Sequence, residues 1–67
     1  MNDYTAWLNG TAVAHGPLSY CREFGRDVFL SDLWQQNEGN KATLKITRGA
    51  RQSFVESIVL HTTKGQP

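Results

Sequence analysis

The sequence predicts a small α+β domain: a β-hairpin, a helical segment and a second β-hairpin, giving a four-stranded antiparallel sheet with the helix on one face. Three observations carry that reading. Asn9-Gly10 sits between two short runs of alternating polarity, and this dipeptide is the strongest short-range hairpin signal. Pro17–Gln36, PLSYCREFGRDVFLSDLWQQ, is the only stretch long and apolar enough to form a central helix. Lys41–Arg48 sets Ala42, Leu44 and Ile46 in strict alternation with Lys41, Thr43, Lys45 and Thr47, the pattern of a half-buried strand.

The first hairpin is expected at about residues 3–8 and 11–15. A two-residue type I′ turn at Asn9-Gly10 puts Leu8 opposite Thr11, Trp7 opposite Ala12, Ala6 opposite Val13 and Tyr4 opposite His15. One face then holds Tyr4, Ala6, Leu8, Val13 and His15, and it is expected to pack on the helix. The other holds Thr5, Trp7, Ala12 and Ala14, so that Trp7 stands among small residues on the open side of the sheet. Tryptophan is enriched at binding hot spots, which makes Trp7 a candidate contact. With the faces reversed, Trp7 fills the core over the alanines, and the sequence leaves both placements open.

Gly16-Pro17 suits the start of the helical segment, because proline's fixed φ fits the first position and its missing N–H has no intrahelical partner there. Leu18, Cys21, Phe24 and Val28 follow at spacings of three and four and define an expected buried face. Arg22, Glu23, Arg26 and Asp27 fall on the solvated side. Phe29, Leu30, Leu33 and Trp34 continue the apolar content on a rotated face. Gly25 lies near the rotation and costs a helix about 1 kcal/mol relative to alanine. Ser31 or Asp32 can cap a new start. One kinked helix and two consecutive helices both fit, and the cluster Asn37-Glu38-Gly39-Asn40 ends the segment.

The second hairpin is expected at about 41–48 and 53–61, with Gly49 as first central residue of a type II′ turn or within a longer loop. Ser53-Phe54-Val55-Glu56 matches a helix capping box, but Val55, Ile58, Val59, Thr62 and Thr63 are β-branched and the strand at Lys41–Arg48 needs a partner, so a strand is expected. A two-residue loop sets Leu44 against Val55. A slip by two pairs Lys45 with Glu56 and Ile46 with Val55. Either way Phe54, Ile58 and Leu60 fall on one face and Val55 and Val59 on the other, so the strand is apolar on both. Residues 64–67 read as a frayed tail.

Sixty-seven residues make one domain, residues 1–67, with a thin margin of stability. One cysteine excludes an intrachain disulfide, and no long apolar run points to a membrane, so a cytoplasmic setting is expected. The net charge of +1 conceals an asymmetry. Residues 1–39 carry Arg22 and Arg26 against Asp3, Glu23, Asp27, Asp32 and Glu38, a net −3. Residues 40–67 carry Lys41, Lys45, Arg48, Arg51 and Lys64 against Glu56, a net +4. Such a basic half either faces phosphate or pairs with the acidic half across the fold.

Catalysis is not expected, nor is a cofactor or metal. Cys21 falls on the apolar helical face, where cysteine acts as a small hydrophobe rather than an activated thiolate. One cysteine and two distant histidines, His15 and His61, lack zinc-ligand spacing, and the glycines match no phosphate loop. A domain this small is not expected to hold a pocket of several hundred Å³ without a partner.

Two binding readings remain. A nucleic-acid reading rests on Lys41, Lys45, Arg48 and Arg51 along one hairpin and its tip. Against it, base stacking needs exposed aromatics beside the lysines, and threonines occupy those positions. A pI near 7.9 is also low for a dedicated binder. The favoured reading is a protein-interaction module, an inhibitor or adaptor, with Trp7, Lys45, Arg48, Arg51 and Phe54 as its partner-binding residues. Its partner is a larger protein or a second copy of the chain as a homodimer. The layout is similar in general terms to small phage or plasmid accessory proteins that block a larger machine, a likeness at the level of fold alone.

Overall fold

The computed structural model describes residues 3–62, so the tail expected at 64–67 lies outside the described residues. The chain runs β1 (Tyr4–Leu8), β2 (Thr11–Gly16), α1 (Leu18–Leu30), α2 (Asp32–Glu38), β3 (Lys41–Arg48) and β4 (Ser53–His61). The strands form one antiparallel sheet in the order β2-β1-β3-β4, with the helices on one face. The α+β class and the hairpin–helix–hairpin order expected from sequence are what the molecule shows. The two hairpins join through their inner strands, with Ala6 opposite Ile46 and Leu8 opposite Leu44.

The Asn9-Gly10 turn forms as expected. Asn9 and Gly10 both have positive φ, 49° and 86°, as a type I′ turn requires. Asn9 also extends the central ladder: its N–H donates to the Thr43 carbonyl at 3.1 Å, and its Oδ1 accepts from the Thr43 N–H at 3.0 Å.

Beyond Trp7, β2 departs from the simple register. Trp7 pairs with Ala12, but Ala6 pairs with Ala14 and Thr5 with His15, which leaves Val13 as an extra, bulged residue. A one-residue shift exchanges the faces of everything beyond it. His15, expected under the helix, instead shares the open face with Thr5 and is exposed, while Ala14 packs against the core.

The helical segment is two helices, and the break falls at Ser31 rather than at Gly25. Ser31 has extended ψ (149°); its hydroxyl donates to the Val28 carbonyl at 2.6 Å and accepts from the Trp34 N–H at 3.3 Å. One side chain thus closes α1 and caps α2. Gln35 reaches back to donate to the Phe29 carbonyl, another of α1's last acceptors. Pro17 precedes the first helical residue, and its carbonyl takes the first intrahelical bond, from Cys21.

The buried line of α1 is Cys21, Gly25 and Phe29, at spacings of four. Phe24, expected on that face, lies about a quarter turn away. It is exposed and stacks on Tyr20 with ring centroids 5.4 Å apart. At Gly25 the helix lies close against the sheet: a Cβ there would stand 2.7 Å from Leu44 Cδ1. The core between the layers is Ala6, Leu8, Cys21, Phe29, Ala42, Leu44, Ile46 and Leu60.

The second hairpin turns through Gly49–Gln52, a four-residue loop with Arg48 opposite Ser53, longer than the type II′ turn. Gly49 and Gln52 both have positive φ, and the Gln52 N–H donates to the Gly49 carbonyl. Neither expected register runs the length of the strand. The slipped one holds next to the turn, where Thr47 faces Phe54, and Val55 then bulges out. From there Ile46 faces Glu56, Lys45 faces Ser57 and Leu44 faces Ile58. Lys45 and Glu56 are therefore not a cross-strand pair.

Candidate interaction surfaces

Two surfaces emerge from this arrangement. The first is the helix-free face of the sheet. Since Ala6, Leu8, Ala42, Leu44 and Ile46 point under the helices, alternation sends Thr5 and Trp7 of β1 and Lys41, Thr43, Lys45 and Thr47 of β3 to the other side. The Val55 bulge adds Phe54, Ser57, Val59 and His61 from β4. Phe54 and Val59 thus share this face, although plain alternation would separate them.

Trp7 lies across from Lys45, and its indole Nε1–H donates to Thr47 Oγ1 at 2.9 Å, so the ring is held towards β3 while the residue stays partly exposed. Thr47 lies between Thr5 and Phe54 and is only 3% exposed. Phe54 itself is 66% exposed. Trp7 and Phe54 therefore flank β3 from opposite sides, with Lys45 beside the first and diagonal to the second. Threonines do separate the lysines along β3, but Trp7 and Phe54 on the neighbouring strands supply aromatics beside them.

The second surface is β4 with the adjoining side of α1. The helix lies over β2, β1 and β3, and β4 extends past it as a sheet edge. Ile58 on the helix side and Val59 on the open side are 47% and 58% exposed. Between α1 and β4 runs an open cleft of about 340 Å³ lined by Arg26, Phe29, Leu30, Ile58 and Leu60 among others. A second, of about 350 Å³, lies among Arg22, Glu23, Arg26 and Asp27. Both are open surface grooves rather than enclosed pockets.

The Val55 bulge turns Glu56 to the helix side, where it meets Arg22. The guanidinium donates twice to the carboxylate, at 3.0 and 2.6 Å, tying α1 to β4. Those hydrogen bonds hold the Glu56 carboxyl below the usual carboxylate range.

Of the expected contact residues, the structure gathers Trp7, Lys45 and Phe54 on the open face. Arg48 and Arg51 are exposed at the hairpin tip, Arg48 falling on the opposite face from Lys45 by alternation. Exposed Ile58, Val59, Leu30 and Phe24 were not singled out as contacts. The two-sided apolar content of β4 was the signal for Ile58 and Val59, and that α1 leaves Ile58 half exposed was not legible.

Cys21 and the two histidines do not converge. Cys21 is fully buried, its thiol donating to the Tyr4 carbonyl at 3.4 Å, and burial pushes its pKa up. His15 and His61 sit on the two outer strands. Among the described residues no group of three or more His, Cys, Asp or Glu side chains gathers, and no helix is long and apolar enough to cross a membrane. The fold and its surfaces define a small α+β domain with an open sheet face and a bare strand edge. Comparison with protein-family models, curated proteins and solved structures finds no match to the chain.

Proposed function

We propose that the protein is a non-catalytic protein-interaction module, an inhibitor or adaptor, that receives an extended segment of a larger protein along the free edge of β4. One observation carries this reading: β4 is a nine-residue edge strand with exposed aliphatic side chains on both faces. Edge strands present unpaired backbone N–H and C=O groups and are ordinarily guarded by lysine, proline or a short length. The other edge, β2, is shorter and broken by its bulge. The regular part of β4, Glu56–His61, carries a single carboxylate, already engaged by Arg22. An added strand would find ladder hydrogen bonds at the edge and apolar contacts at Ile58 and Val59, the recognition mode of β-augmentation.

A second copy of the chain fits the same edge, and solution mass by light scattering separates the two occupants. The test is capture of a partner from lysate by wild type, Ile58→Lys and Val59→Lys, followed by titration of the purified partner. Both positions are exposed, so melting should be unchanged. A partner lost with either lysine supports the reading. A partner bound equally by all three, or a monomer that captures nothing, refutes it.

A further inference from the structure

We infer that the open face of the sheet is a binding site for single-stranded nucleic acid, with Trp7 and Phe54 stacking on bases and Lys45 and Lys41 meeting the phosphates. This site lies on the opposite side of the sheet from the α1–β4 cleft and does not depend on the β4 edge being a protein-binding surface.

The charge distribution is the first support. Six acidic residues are present in the chain, and only Asp3, two residues before Thr5, falls on the open side by alternation, at the end of the face. Glu23, Asp27, Asp32 and Glu38 are on the helices, Glu56 is turned to Arg22, and Asp3 sits at the margin beside Gly49. The open face carries Lys41, Lys45, His15 and His61. A chain of net charge +1 thus presents one face that is cationic or neutral from Thr5 to His61, with Asp3 at its far end, and that field favours a polyanion.

The aromatic placement is the second. Trp7 and Phe54 are on strands two apart and offset by two residues, which places their Cα atoms about 12 Å apart by ordinary sheet spacings. That separation suits two unstacked bases splayed over one platform, with the cationic head of Lys45 between them for the backbone. Duplex bases are stacked on each other and cannot lie on such rings, so the site selects single strands. Thr43 and Ser57 supply exposed hydroxyls beside the lysines and no base-specific array, which predicts weak sequence preference.

An acidic peptide would satisfy the lysines equally but would leave the aromatics without a stacking partner; that difference makes it the control ligand. The experiment is fluorescence titration of Trp7 in a Trp34→Phe background, at low salt, with oligothymidylate of about 16 nucleotides, the upper end of common single-strand site sizes. The same titration is run with a duplex of equal length and with polyglutamate. The expected result is quenching by the single strand. With two lysine contacts the slope of log affinity against log salt should be about −1.4. Phe54→Ala should weaken binding about 5- to 150-fold, the range measured for removing one base–aromatic stack. Lys45→Glu should weaken it at least tenfold and steepen no salt dependence. Both side chains are exposed, so both variants should melt with the parent, and neither requires removing Trp7. No quenching, equal quenching by duplex or polyglutamate, or undiminished binding by both variants would overturn the assignment.

Discussion

Alanine is a better helix residue than glycine by about 1 kcal/mol, so Gly25→Ala should stabilise α1 if the helix is considered alone. The packing predicts the opposite sign. A Cβ at residue 25 would stand 2.7 Å from Leu44 Cδ1, 3.3 Å from Cδ2 and 3.6 Å from Cγ. Rotating the leucine about χ2 exchanges one close methyl for the other. Leu44 has little room to retreat: it is 4% exposed, with Leu8 and Ile58 on the adjoining strands. Overpacking of this kind costs about 1–3 kcal/mol. After the helical gain is subtracted, the variant should be less stable by about 1 kcal/mol, a fall in Tm of about 4–8 °C for a domain of this size. Thermal and urea unfolding followed by circular dichroism read the change. Leu44→Val removes both δ carbons, and in that background Gly25→Ala should become stabilising by about 1 kcal/mol. A rise in Tm for Gly25→Ala in the otherwise unaltered chain would refute close helix–sheet contact at this residue.

Three further outcomes are expected. Ser31→Ala removes the group that both ends α1 and caps α2, and should cost about 1 kcal/mol in urea unfolding, with loss of helical signal. Glu56 has a folded pKa below its unfolded one, so the Arg22 pair favours the folded state above the unfolded pKa and loses that contribution as pH falls through the folded value. The Tm difference between wild type and Arg22→Ala, measured across acidic to neutral pH, should therefore be present at pH 7 and vanish at the acid end. Cys21 is fully buried with its pKa raised, so Ellman's reagent at pH 8 should react only at the rate of unfolding and promptly in denaturant. Fast reaction in the native protein would contradict the burial.

The fold was legible wherever a local rule acts over a few residues. Asn9-Gly10 fixed one turn because few dipeptides tolerate two positive φ values, and Lys41–Arg48 alternated without interruption. The β-branched content of Val55–Val59 outweighed the capping-box pattern and gave a strand. What escaped was set by contacts distant in sequence. A bulge changes neither composition nor length, so Val13 and Val55 looked like ordinary strand residues while shifting His15, Glu56 and Ile58 to other faces. Gly25 interrupts the apolar pattern of α1 and so reads as a weak point. Its missing side chain is in fact what lets the helix approach Leu44, and the true buried line rotates away from Phe24 as a result. The candidate sites followed suit: Trp7, Lys45 and Phe54 were named singly, but their meeting on one face depends on the β1–β3 pairing, which sets Trp7 beside Lys45.

That β1–β3 pairing also shapes how the chain must fold. Each hairpin closes locally, but β1 meets β3 across roughly 40 intervening residues, with Tyr4 beside Arg48 and Leu8 beside Leu44. Isolated two-stranded hairpins are marginal in water. Neither half therefore gains its stability until α1 brings the two central strands together. Hairpins form in microseconds, whereas ordering a long loop precedes any gain from the contacts it closes. The rate-limiting step should be the zipping of β1 against β3 beneath Gly25. A chain cut in the Gly39-Asn40 connection would yield two fragments that fold only in each other's company, at a rate set by their concentration.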